Sequence, residues 1–174
     1  MLRTHYVSEL NDGAATIAGW VHEIRQFGKL TLIILRDRTG LVQISVKEGE
    51  TPEAVFSEAK HLIKETAIVC RGKAKKSKVA KLGMEFFPDE INGVGRVLKQ
   101  VPFELTGKVP AELDVRLDNR FVDLRRPEVQ AVFRVRSEVQ GAFRDSMMQQ
   151  GFQEINPPSL VSSATEGGTE LFPV

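Results

Sequence analysis

Five short strand-type segments fill the first hundred residues, and one helix signal falls between the third and the fourth. The third segment is the clearest. Over residues 41–47, Val42, Ile44 and Val46 alternate with Gln43, Ser45 and Lys47, the period-two pattern of a strand with one buried face. That pattern turns Gln43 toward solvent or a ligand. Residues 16–25, 30–35, 66–75 and 84–87 supply the other apolar or β-branched runs, and Arg36-Asp37-Arg38-Thr39-Gly40 closes the second with a turn signal. Thr51-Pro52-Glu53 predicts a helix start, with Thr51 as the cap and Pro52 at the first helical position. Val55, Phe56, Ala59, Leu62 and Ile63 form its apolar stripe. A single helix in this position predicts a small closed five-stranded barrel of the OB type. A β-sandwich is the rival, and the helix argues against it.

Residues 101–126 have few periodic apolar positions and two prolines, Pro102 and Pro110, which reads as a hinge or linker. A long helix follows from Pro127, with Val129, Val132, Phe133, Arg136, Val139, Ala142, Phe143 and Met147 along one mostly apolar side and Gly151 as its stop. Residues 152–155 read as a short strand ended by Pro157-Pro158. The expected organisation is therefore a barrel over 1–100, a linker over 101–126 and the start of a second domain over 127–174.

Charge is uneven. Residues 1–100 hold 16 Lys and Arg against 12 Asp and Glu, and residues 101–174 hold 8 against 11. A basic front domain suits a polyanionic partner as well as an ordinary solvated surface. One cysteine and three scattered histidines exclude an internal disulfide and argue against a structural zinc site. No basic start leads into an apolar core at the N-terminus, and no apolar run is long enough to span a bilayer. A cytoplasmic location is expected.

The segment Thr165-Glu166-Gly167-Gly168-Thr169-Glu170-Leu171-Phe172-Pro173 has the composition of a substrate loop: a carboxylate, two glycines and two hydroxyls. It joins Arg3-Thr4-His5-Tyr6, Gly19-Trp20-Val21, Arg36-Asp37-Arg38 with Gly40, Leu113-Asp114, Arg116-Leu117-Asp118-Asn119-Arg120-Phe121 and Asp123-Leu124-Arg125-Arg126-Pro127. In order and spacing these resemble the archaeal-type aspartyl-tRNA synthetases, class II aminoacyl-tRNA ligases. The resemblance covers nearly the whole chain. It implies an anticodon-binding OB-fold, a hinge, and the start of a catalytic domain on an antiparallel sheet. The expected parent enzyme joins L-aspartate to tRNA(Asp), with tRNA(Asn) as a further acceptor, through an aspartyl-adenylate made with ATP and Mg2+. The residues that would hold ATP and Mg2+ are expected beyond Val174, so this chain is expected to be inactive alone, with no catalytic residue of its own and no cofactor bound.

Site residues follow from the resemblance one by one. Gln43 matches a glutamine on the middle anticodon base, Arg25 an arginine in the same pocket, and Glu85 a glutamate near the third base, where a carboxylate can accept from a cytosine amino group. Leu32 stands where the family has a stacking phenylalanine, so weaker stacking is expected. Phe27 is a candidate substitute that the sequence does not position. His22 and Lys81 match positions that vary with tRNA specificity. The histidine resembles members that also charge tRNA(Asn), and the lysine resembles strict ones. The reading taken here is the relaxed form. Without the resemblance, both fit solvated strand residues. Glu166 matches a residue on the substrate aspartate. Residues 151–158 resemble the first class II signature, in which the proline at Pro158 helps build a homodimer interface; Pro157 departs from the usual threonine. Two alternatives stay open: the front half of an asparaginyl-tRNA synthetase, and a standalone OB-fold nucleic-acid-binding module.

Overall fold

The computed structural model describes residues 2–158 apart from 79, 81, 82, 96 and 108. Five strands, β1 (Gly13–Phe27), β2 (Leu30–Arg36), β3 (Leu41–Lys47), β4 (Ala67–Lys76) and β5 (Met84–Gly93), close into a barrel in the order β1-β2-β3-β5-β4. Helix α1 (Glu53–His61) lies between β3 and β4, as the order of sequence signals requires for an OB-fold. Closure has two sources. β1 is 15 residues long, so its first half pairs with β4 and its second half with β2, with a bulge between Val21 and Glu23. A short parallel contact, Gln43 with Glu85 and Ile44 with Phe86, joins β3 to β5.

The strand alternation becomes the core directly. Val42, Ile44 and Val46 of β3 meet Ile33 and Leu35 of β2, Ile17 and Val21 of β1 and Phe86 of β5, all essentially inaccessible to solvent. Val55, Phe56 and Ala59 of α1 pack against this cluster. Gly72 of β4 lies so close to β5 that a Cβ there would stand 2.1 Å from the Phe87 carbonyl oxygen, so any side chain would push the β4–β5 seam apart. The turn after β2 is built on Asp37. Its carboxylate accepts from the Thr39 and Gly40 amides and the Thr39 hydroxyl, and also from the Val7 amide thirty residues back.

Several local expectations are corrected. Thr51 does not cap α1: its hydroxyl accepts from the Lys47 amide at 3.1 Å, and Pro52 precedes the helix with its carbonyl accepting from Val55 and Phe56. The geometry at the end of β3 takes the threonine first. Ile63 leaves the helix stripe and is 40% exposed, because α1 ends at His61 and the 3.6-residue period ends with it. β1 and β5 run beyond the apolar segments that announce them, since backbone pairing does not stop where hydrophobicity does. β5 passes through Pro88, which has no amide to give and sits opposite Gly72 beside an irregularity in the β4–β5 register.

The stretch 101–126 holds two short helices, α2 (Leu113–Asp118) and α3 (Arg120–Asp123). The chain divides into two compact units, Met1–Arg126 and Pro127–Val174. In the second, α4 (Pro127–Gln149) ends as Gly151 predicts. The glycine has φ +88°, its amide bonds to Met148 O at 3.0 Å, and the Phe152 amide bonds to Met147 O at 3.1 Å. This pair of reversed bonds is a Schellman stop. Of the apolar stripe on α4, Val129 is buried while Val132, Val139 and Phe143 are exposed. Residues 152–155 form no strand, because a strand needs a partner and none pairs with them among the described residues. No helix among the described residues is long and apolar enough to cross a membrane.

Candidate nucleic-acid interface

Strand register assembles the candidate anticodon residues on one outer face of the barrel. Arg25 lies opposite Leu32, and Leu32 opposite Ser45. In the neighbouring row Glu23 lies opposite Ile34, Ile34 opposite Gln43, and Gln43 opposite Glu85. Apart from Ser45, which is itself buried against the expectation of an outward residue, these positions alternate with the buried core positions, so their side chains leave the barrel on the same side. Arg25 is about half exposed and Gln43 is half-buried at the surface. The result is an apolar floor, Leu32 and Ile34, between a guanidinium on one side and an amide and a carboxylate on the other.

The polar groups are already oriented. Both Glu23 oxygens accept from Arg25, with Nη2 at 3.0 Å from Oε2 and Nε at 3.2 Å from Oε1. Gln43 Nε2 reaches Ser45 Oγ at 3.5 Å, and the Ser45 hydroxyl donates to Glu85 Oε1. Ser45 therefore links the candidate readers Gln43, two residues before it, and Glu85, forty residues after it. Alternation put Ser45 on the Gln43 side without giving it a role, and Glu23 was not singled out at all. The signal for both was their spacing of two from Gln43 and Arg25. Phe27 lies two residues past Arg25 on this same side and is 60% exposed, so the aromatic that the sequence could not position stands at the edge of the face.

His22 is not among these residues. The bulge in β1 turns it to the other side of the strand, where it lines an open cavity of about 650 Å³ with Ile24, Gln26, Leu62, Glu65 and Phe103. Its Nδ1 lies 2.7 Å from Arg36 Nη1. A guanidinium only donates, so Nδ1 must be the bare nitrogen and the ring neutral. Burial holds the His22 pKa below its ordinary value, and the Arg36 charge adds to this; Glu65 and Glu23 act in the opposite sense. Arg36 in turn bonds Glu65 at 2.8 Å, and the same Glu65 oxygen accepts from Arg125 at 2.5 Å. Arg125 lies over the Trp20 ring, 5.3 Å from its centroid. Residues of three separated motifs thus converge on one buried carboxylate.

The arginine-rich motif that follows has a similar logic. Asp123 is fully buried, covered by the arginines around it: Arg116 Nε at 2.8 Å, Arg120, and Arg126 at 3.8 Å. The hydrogen bond from Arg116 holds its carboxyl below the usual range against the opposing effect of burial, with the three positive charges contributing. Pro158 is described and exposed. Lys81 and Glu166 lie outside the described residues.

A family described as OB-fold nucleic acid binding domain matches residues 15–92, and one described as tRNA synthetases class II (D, K and N) matches residues 112–174. The aspartate–tRNA(Asp/Asn) ligase of Methanococcus vannielii is 47% identical over 99% of this chain and 40% of its own length. The aspartate–tRNA(Asp) ligase of Pyrococcus abyssi is 43% identical over 100% of the chain and 41% of its own. Among solved structures, asparaginyl-tRNA synthetase from Pyrococcus horikoshii with asparaginyl-adenylate is similar at TM-score 0.80 and 29% identity, over 97% of this chain and 39% of that one. The chain thus spans about two-fifths of the length of the relatives it matches.

Proposed function

This chain belongs to the archaeal-type aspartyl-tRNA synthetases, class II ligases, and from that membership we propose that it supplies the anticodon-reading part of an enzyme attaching L-aspartate to tRNA(Asp). In this reading residues 1–100 bind the anticodon, 101–126 connect, and 127–174 begin the catalytic domain. The observation that carries it is the single outer face on which Arg25, Leu32, Gln43 and Glu85 meet. Leu32 and Ile34 offer a floor for the middle base, Gln43 an amide for its edge, and Glu85 an acceptor for the amino group of a cytosine. Arg25, already aligned by Glu23, faces the backbone or the base beside Leu32.

Glu166 is assigned to the substrate aspartate, Pro158 to a homodimer interface, and His22 with Lys81 to the choice between tRNA(Asp) and tRNA(Asn). The named relatives include both an aspartate–tRNA(Asp/Asn) and an aspartate–tRNA(Asp) ligase, and His22 favours the relaxed form, with tRNA(Asn) as a second acceptor. The asparaginyl alternative has its support in the 29% identical solved structure, against 43–47% identity to aspartate ligases. ATP and Mg2+ belong to the whole enzyme, which would act in the cytoplasm. Among the described residues no group of three His, Cys, Asp or Glu could hold a metal ion.

The test is binding of this chain to a 17-nucleotide hairpin carrying the GUC anticodon. Changing the middle base is expected to weaken binding by ~1–3 kcal/mol, the usual cost of one wrong base edge, and Gln43→Ala is expected to abolish that preference. Equal affinity of the native chain for both hairpins would refute the assignment. A hairpin with GUU in place of GUC measures, in the same titration, whether the third base is read.

A further inference from the structure

The outer face does not end at Glu85. Next to it across the β4–β5 seam stands Lys75, and two residues further along β5 stands Phe87, opposite Lys73. Phe86 between them is fully buried and Phe87 is 40% exposed, so Glu85 and Phe87 leave the barrel on the same side. Lys75 Nζ lies 5.8 Å from the centre of the Phe87 ring. Lys73 and Lys75 are exposed, and neither has an ion-pair partner among the described residues. An exposed aromatic ring beside two exposed ammonium groups is the combination that holds a single-stranded nucleotide: a π-face for the base and positive charge for its phosphates.

Adjacency to the third-base position identifies which nucleotide. In the reading proposed above, on which this inference rests, the middle base lies at Gln43 and the third at Glu85. The step from Gln43 to Glu85 crosses from β3 to β5, and the outward position next to Glu85 on β5 is Phe87, about 6.6 Å away at the usual rise per residue. We infer that Phe87, with Lys73 and Lys75, forms a further subsite that stacks the nucleotide following the third anticodon base and neutralises its flanking phosphates. The subsite also answers the loss of an aromatic at Leu32: stacking is moved from the centre of the face to its end.

The experiment titrates the chain, by fluorescence anisotropy, with the GUC hairpin and with the same hairpin made abasic at the nucleotide after the third anticodon base. Phe87→Ala is expected to weaken binding of the intact hairpin roughly 5- to 150-fold, the range for losing one base–aromatic stack, and to leave the abasic hairpin unaffected. Phe87→Leu, which keeps the apolar bulk, is expected to behave like Phe87→Ala, and Phe87→Trp to retain affinity. Lys73→Ala and Lys75→Ala are each expected to lower the slope of log affinity against log salt by about 0.7. Equal weakening of both hairpins by Phe87→Ala, or none, overturns the subsite. Sensitivity to Gln43→Ala without sensitivity to Phe87→Ala removes the subsite alone; a native chain indifferent to anticodon sequence removes the parent reading with it.

Discussion

Glu65→Gln isolates the charge of the buried carboxylate at the centre of the His22–Arg36–Arg125 cluster while keeping its shape. It also keeps the backbone problem constant, since Glu65 has φ +67° and glutamine tolerates that region no better. The carboxylate is 5% exposed and Arg36 is 11% exposed, whereas Arg125 is 34% exposed. Losing the charge leaves the Arg36 guanidinium enclosed with only a neutral imidazole and an amide beside it, and water cannot reach it well. Breaking a buried pair from one side costs about 3–5 kcal/mol; Arg125 can rehydrate, so the lower end, about 3 kcal/mol, applies. Arg125→Ala leaves the Arg36–Glu65 pair intact and removes a partly exposed contact and a cation–π interaction, together about 1 kcal/mol. Urea unfolding followed by the fluorescence of Trp20, the chain's only tryptophan and itself part of the cluster, reads both. With m near 2 kcal/mol/M, the midpoint should fall by about 1.5 M for Glu65→Gln and about 0.5 M for Arg125→Ala. A Glu65→Gln midpoint within about 0.3 M of the native chain, or a larger effect from Arg125→Ala, would refute the view that Arg36 depends on this carboxylate.

Leu32→Phe is expected to tighten hairpin binding by ~1–3 kcal/mol through base stacking; unchanged affinity would count against the middle-base pocket. The His22 pKa is depressed in the fold, so above pH ~6.5 its neutral contact with Arg36 contributes fully. As pH falls below that value the unfolded chain takes the proton first, and stability is lost until the folded pKa is passed. Urea midpoints measured between pH 7.5 and 5 should therefore decline less for His22→Asn than for the native chain; parallel declines would exclude His22 as the source. Cys70 is fully buried and burial pushes its thiol pKa up to about 12, so a thiol reagent at pH 8 should label it only as the barrel opens. Labelling at the rate of a free thiol without denaturant would contradict the core assignment.

The barrel was legible because its signals are local. Val42, Ile44 and Val46 alternate within seven residues, the helix signal at 51–53 falls after the third strand, and Gly151 marks a helix end by its own backbone freedom. Each of these depends only on neighbours in the chain. The family resemblance then named Arg25, Gln43 and Glu85, which periodicity could describe only as outward-facing. The local readings that went wrong were those in which a distant or competing partner decided the outcome. The Thr51 hydroxyl was taken by Lys47 instead of the helix end, and residues 152–155 had the composition of a strand with nothing to pair with among the described residues.

The sequence by itself determined which residues face in and which face out, since alternation and volume are properties of a short stretch of chain. Only the tertiary structure decided which outward residues meet. The parallel contact of β3 with β5 brings Glu85 to Gln43 and Ser45 across forty residues. The bulge at His22 turns it away from that face toward Arg36, and Glu65 gathers arginines 29 positions before it and 60 after it. Hydrophobic patterning is blind to such pairs: a charged side chain looks the same in sequence whether water or another charge completes it. The difference appears only when barrel closure removes the water.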